Sequence, residues 1–163
     1  MVIGHKDQIE NLIALQEKGL LGHAYLFFGT PQTGKFTVAR VFAEYLETGA
    51  WPEGESARPL TDLRVFAPDE KNSIGIDAAR AVRVVLAEKP FVGARRVAII
   101  DRAEMLTPEA QNALLKIAEE PPASALLILV ISDPEILWPT LQSRFQKISF
   151  GTEDVSSIDS LLF

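Results

Sequence analysis

The chain has no cysteine among its 163 residues. Disulfides and thiolate metal sites are therefore excluded, and a reducing compartment is compatible. Histidine is almost as scarce. His5 and His23 are the only two, neither has ligand-type neighbours, and both read as structural or surface residues. No apolar run approaches the roughly 20 residues of a membrane span. The opening residues, MVIGHKDQIE, lack the basic-then-apolar order of a secretory signal. A cytoplasmic protein with no membrane partner is the expectation. Positive charge is short too: 16 Lys and Arg stand against 22 Asp and Glu, a net charge of −6. A lone nucleic-acid-binding module is usually basic, so this domain is not expected to hold DNA tightly by itself. There is no internal repeat and no low-complexity segment.

What is present is enough apolar material for a core. Hydrophobic residues make up 47% of the chain, and the length suits one globular domain. The stretch Ala24 to Thr37, AYLFFGTPQTGKFT, organises the rest. An apolar run, Ala24 to Phe28, reads as a buried strand. A loop comes next, Gly29-Thr30-Pro31-Gln32-Thr33-Gly34-Lys35, and then a helical pattern to about Glu47. Glycine at positions 29 and 34 permits backbone angles that a β-carbon forbids. Successive N–H groups can then face an anion beside the positive end of the helix. Lys35 adds a mobile positive charge for phosphate oxygens.

The match to the pattern GxxxxGK[ST] is incomplete. Phe36 stands where a Ser or Thr hydroxyl should bind Mg²⁺, and Thr37 is one residue late, a rotation of about 100° on a helix. The stretch reads as a loop built to hold phosphate with part of its metal chemistry missing. The competing reading is a glycine turn that binds nothing.

The run Arg95 to Asp101, RRVAIID, is the second strong signal. Its β-branched apolar residues predict a central parallel strand. Asp101 falls at the carboxyl end, the edge where ligands bind in open α/β sheets. There it could hold Mg²⁺ opposite the phosphate loop, or it could simply cap a helix. The next position is Arg102. Glu104 lies two residues further on and would need an altered backbone to act as a carboxylate in that place.

The remaining segments fill in the frame. Lys6 to Lys18 has helical spacing, with Asp7 as a candidate cap. Thr48 to Pro59 is a Gly/Pro/Ser-rich loop in which Trp51 reads as a packing anchor. Residues 62–66 predict a strand, 68–72 a turn, and 74–76 a short extended piece. Asp77 is expected to cap a helix to about Glu88, whose Arg80 and Arg83 read as a solvated face rather than a DNA contact. Thr107-Pro108 opens a helix as N-cap and first residue, and Pro121-Pro122 stops it. Ala125 to Ile131 is a buried strand. Ser132 then lies on the side where Asp101 ends its own strand, placed to sense a terminal phosphate or merely to start a turn. A helix over about 135–141 and a last strand at 146–150 complete the pattern.

Four stretches carry a family resemblance: HAYLF (His23 to Phe27), the loop to Lys35, AIIDRAEMLTPEAQNALLKIAEEPP (Ala98 to Pro122) and PTLQSRF (Pro139 to Phe145). Together they resemble the nucleotide-binding domain of the bacterial DNA polymerase III clamp loader, in its delta-prime and gamma/tau subunits, which are AAA+ proteins. The likeness covers about residues 2 to 150. It implies a three-layer α/β P-loop NTPase fold over 1–150, with a five-stranded, mainly parallel sheet. Residues 151–163 would be a tail leading towards a lid domain absent from this chain. It implies a phosphate or nucleotide site at Gly29, Thr30, Pro31, Gln32, Thr33, Gly34, Lys35, Phe36, Thr37, Asp101 and Ser132. It also implies that Arg144, of the Ser143-Arg144 pair, reaches a neighbouring subunit's ATP as an arginine finger in trans. Phe145 stands where that family has Cys.

Within the family, gamma/tau hydrolyses ATP, whereas delta-prime resembles a stator that donates its arginine. Phe36, and Arg102 where ATPases of the AAA+ kind usually carry a Glu that activates the attacking water, impair this chain's own site twice, while Arg144 is kept, which resembles delta-prime. ATP or ADP would be held weakly, and whether Mg²⁺ accompanies it stays open. The family often carries a four-cysteine zinc module near 48–59, and here no zinc is expected. The implied partners are gamma/tau and delta, with the sliding clamp and primed DNA reached through the complex. The alternatives are a gamma/tau-type motor that binds and hydrolyses ATP itself, and a P-loop relic outside replication.

Overall fold

A computed structural model of the chain describes residues 4–54 and 58–151. The expected tail, from 152 onward, and the central residues of the Thr48–Pro59 loop lie outside the described residues. The elements in order are α1 (Lys6–Glu17), β1 (Ala24–Phe28), α2 (Lys35–Thr48), β2 (Leu63–Phe66), α3 (Ile76–Ala87), β3 (Arg96–Ile100), α4 (Pro108–Glu119), β4 (Ala125–Ile131), α5 (Pro139–Gln142) and β5 (Gln146–Ser149).

The strands form one sheet in the order β2-β3-β4-β1-β5, and every neighbouring pair is parallel. The apolar runs explain this. Parallel strands need crossovers that place helices on both faces, so their side chains are buried on both sides. All seven residues of β4 and all five of β3 are buried. Alternation then divides the core in two. Ala98 and Ile100 of β3, with Leu127 and Leu129 of β4, face α3 and α4. Val97 and Ile99, with Leu126 and Ile128, face α1 and α2 together with Tyr25, Phe27 and Phe42. The result is the expected three-layer α/β arrangement, with the strand positions close to those read from the sequence.

Several local expectations are corrected. Asp7 does not cap α1: the N-cap is His5, in a left-handed conformation (φ 60°) with no side-chain cap. Asp77 does not cap α3 either. The helix starts at Ile76, its N-cap the extended Gly75 two residues before Asp77, and Asp77 sits in its first turn, beside Arg80 at 3.6 Å. A carboxylate there still favours the helix through the unpaired N–H groups. The continuous helix expected over 135–141 is split into a 3₁₀ turn, Pro134–Ile136, and the short α5. Pro139 is the cause, because it pushes the preceding Trp138 out of helical geometry (ψ 138°). Thr107 does cap α4, accepting the Ala110 N–H at 3.2 Å, with Pro108 at the first position.

Two arginines tie the amino ends of the strands together. Arg95 donates to the carbonyls of Leu21 (2.8 Å), Gly22 and Ala125 (both 3.2 Å). Arg96 pairs with Asp62 (3.5 Å) and Glu88 (2.9 Å). Asp62 is buried and accepts three successive backbone N–H groups, from Phe91, Val92 and Gly93, at 2.6 to 2.8 Å. No helix among the described residues is long and apolar enough to cross a membrane.

Candidate functional site

The strand order places β1 and β3 on either side of β4. Two strand spacings separate them, roughly 10 Å. At their carboxyl ends the chain leaves the sheet as the 29–35 loop, as Asp101, and as Ser132. A cavity of about 520 Å³ opens there. Pro31, Gln32, Thr33, Gly34, Lys35, Phe36, Thr37, Asp101 and Ser132 all line it, so the structure gathers nine of the sequence-expected residues in one place. Gly29 and Thr30 stand behind the lining: their carbonyls accept from the Lys35 ammonium at 2.8 and 2.7 Å. The Thr33 hydroxyl accepts from it at 3.3 Å. Arg144 is not part of the cavity lining.

The loop is held from both sides. The Gly29 N–H donates to the Ser132 carbonyl at 3.3 Å, tying it to the end of β4. A His5 ring nitrogen donates to the Thr33 carbonyl. The histidine also packs edge-on against Phe150, with ring centres 4.8 Å apart. His5 thus braces the loop; as a lone histidine before a helix it gave no such signal in the sequence. Gln32 and Gly34 take left-handed backbone angles (φ 62° and 83°). Lys35, at 6% exposure, begins α2 inside this turn. Burial holds its ammonium below the usual lysine value, while Glu104 and then Asp101 pull it the other way.

Phe36 lines the cavity and also packs on the α1/α2 side of the core. An aromatic ring therefore takes the place at which a hydroxyl would meet a metal ion. Thr37 reaches the cavity one residue round the helix. Asp101 has a double duty. Its carboxylate accepts the N–H of the next residue, Arg102, at 2.9 Å, while the residue lines the cavity.

The altered backbone that Glu104 would need is present. Arg102 is left-handed (φ 50°, ψ 56°), and a 3₁₀ turn, Ala103–Met105, comes directly after it. This costs on the order of 1 kcal/mol for a non-glycine residue. A parallel bridge from Ile74 to Leu106 anchors the far end of the turn. Glu104 is thereby brought into the cavity lining, and its Oε2 is buried without a hydrogen-bond partner among the described residues. The Arg102 side chain reaches Asn72, 3.5 Å away.

Arg144 lies on the segment between α5 and β5. Its Nη2 donates to Glu119, the last residue of α4, at 2.9 Å. Both side chains are nearly half exposed. Phe145 turns the other way and is buried in the core on the α3/α4 side.

A glycine-rich loop at a helix N-terminus, a buried lysine and an aspartate across one strand together suit an anionic phosphate chain. The family model described as "DNA polymerase III, delta subunit" matches residues 4–154. The chain belongs to that family. Its domain is of the clamp-loader AAA+ type. It is 32% identical over 127 residues to the DNA polymerase III subunit gamma/tau of Mycobacterium bovis, covering 71% of this chain and 22% of that protein. It is 35% identical over 115 residues to the replication factor C small subunit of Methanococcus vannielii, covering 69% of this chain and 33% of that one. Among solved structures, a DNA polymerase III gamma subunit-related protein of Thermotoga maritima superposes with a TM-score of 0.73 at 27% identity, over 95% of this chain and 49% of that one. The chain thus spans between a fifth and a half of the length of these relatives.

Proposed function

We propose that this domain belongs to a cytoplasmic clamp-loader subunit of the delta-prime kind. It holds nucleotide weakly, does not turn it over, and donates Arg144 to the ATP site of a neighbouring subunit. Gamma/tau-type and delta subunits are the partners, and the sliding clamp on primed DNA is the common target.

The single observation that carries this reading is an asymmetry. The phosphate-binding half of the chain's own cavity is assembled, with Lys35 buried in its loop, while the ring of Phe36 replaces the metal-binding hydroxyl. Position 102, after the aspartate, carries an arginine that reaches Asn72. The residues fit the phosphates of ADP or ATP better than they fit Mg²⁺, which would have Asp101 but no hydroxyl at the position directly after Lys35. Arg144, by contrast, is exposed and lies outside its own cavity. A planar, permanently charged guanidinium on a surface can stabilise a transferring phosphoryl group across an interface.

The experiment is ATP turnover by the partner motor subunits in a reconstituted complex, comparing native protein with Arg144→Ala. A fall in turnover with the complex intact supports the reading. Unchanged turnover together with its loss in Lys35→Ala instead supports a motor. That second reading, a gamma/tau-type ATPase, draws on the gamma/tau likeness and on Glu104 in the cavity lining.

A further inference from the structure

The cavity carries an uneven set of charges that weak nucleotide binding alone leaves unused. Asp101 and Glu104 both line it, and both act on Lys35, Glu104 more strongly. The other cation in the lining, Arg102, directs its guanidinium to Asn72. Lys35 already donates to two carbonyls and a hydroxyl. One oxygen of Glu104 is buried and has no donor among the described residues. An acceptor of that kind is satisfied by a donor or a cation. Phosphate oxygens at neutral pH are acceptors only, and each further phosphate adds negative charge.

In a working P-loop ATPase the same problem is met by a metal ion seated on the Ser or Thr after the lysine. Here that residue is Phe36, so the ion has lost one of its protein ligands. A diphosphate needs Lys35 and the loop, whereas a triphosphate adds a further negative group to a cavity that already holds the carboxylates of Asp101 and Glu104.

We propose that Glu104 sets the specificity of this cavity, admitting a nucleoside diphosphate and disfavouring the triphosphate. This rests on the reading that the cavity binds nucleotide phosphates.

The test is calorimetric titration of the chain with ADP and with a non-hydrolysable β,γ-imido ATP analogue, both with Mg²⁺. Native protein, Glu104→Gln and Lys35→Ala are compared, and each variant is first checked by thermal melting. Native protein should bind ADP roughly tenfold or more tightly than the analogue, the scale of one like-charge contact in a partly buried site. Glu104→Gln should close that gap by strengthening the analogue, with ADP changed no more than about threefold. The proposal is overturned if the native protein binds the analogue as tightly as ADP, or if Glu104→Gln leaves the gap in place. Should the variant not fold, the native comparison alone decides. The underlying reading fails separately, and the proposal with it, if neither nucleotide binds or if Lys35→Ala binds both as the native protein does.

Discussion

Arg144 is paired within its own chain: its guanidinium reaches Glu119, the last residue of α4, at 2.9 Å. The pair joins the segment after α5 to a helix whose other end lies just after Asp101 and Glu104. Both partners are nearly half exposed, so the contact contributes at most about 1 kcal/mol. That is small enough to be exchanged for a phosphate in a neighbouring site. Arg144→Ala and Arg144→Lys should each lower turnover at that site by on the order of 10³, since lysine lacks the planar fork. The melting temperature should move by only a few degrees. Glu119→Gln frees the arginine without removing it, so turnover in the same assay should hold or rise.

Lys35→Ala should abolish nucleotide binding, measured by titration of the isolated chain. The lysine also bonds the carbonyls of Gly29 and Thr30, so the variant should show faster amide hydrogen exchange across the loop while the sheet stays protected.

Restoring the two missing groups should restore chemistry. The double change Phe36→Thr with Arg102→Glu is expected to give Mg²⁺-dependent phosphate release where the native chain gives none above background. Phe36 is only partly buried against the core, so its loss should cost less than the ~3–5 kcal/mol of a fully buried phenylalanine. A melting curve run beside the assay shows whether enough folded protein remains.

Asp62 should govern acid stability. Burial opposes its charge, but the N–H groups of Gly93, Phe91 and Val92, with Arg96, outweigh that and hold its carboxyl below the usual range. A depressed folded-state value means that the stabilisation is complete at neutral pH. It is lost as pH falls below the unfolded value of about 4 and through the folded one. Asp62→Asn should destabilise by about 3 kcal/mol at pH 7, because it breaks a buried ion pair. Its urea unfolding midpoint should also fall less steeply than the native one between pH 5 and pH 2.

The sheet was legible in the sequence because its three inner strands, β1, β3 and β4, are built on continuous apolar runs, while the edge strands β2 and β5 are more polar and were placed by the turns beside them. Asp101 and the loop to Lys35 could be placed at one edge for the same reason: parallel strands bring their carboxyl ends together. The features that could not be read were set by backbone angles that the side chains do not announce. Arg102 gives no hint of its left-handed turn, yet that turn brings Glu104 into the cavity. Asp62 looked like an ordinary strand residue, because the three amides it binds lie about 30 positions later. Glu119 likewise sits in a helical pattern that says nothing of Arg144, 25 residues on.

Gly29 carries a lesson for anyone scanning the loop by mutation. Its backbone (φ 149°) passes so close to the last strand that a β-carbon there would overlap the Phe150 carbonyl oxygen. Phe150 in turn donates its N–H to Phe28 at 2.7 Å, closing the edge at β5. Any larger residue at 29 would pry that edge strand from its neighbour before it touched a ligand. A Gly29 variant that loses function would therefore be reporting a sprung hinge in the scaffold, and the same holds for the left-handed Gly34, so that it is the lining side chains of Pro31, Thr33 and Lys35 that interrogate the loop as a receptor.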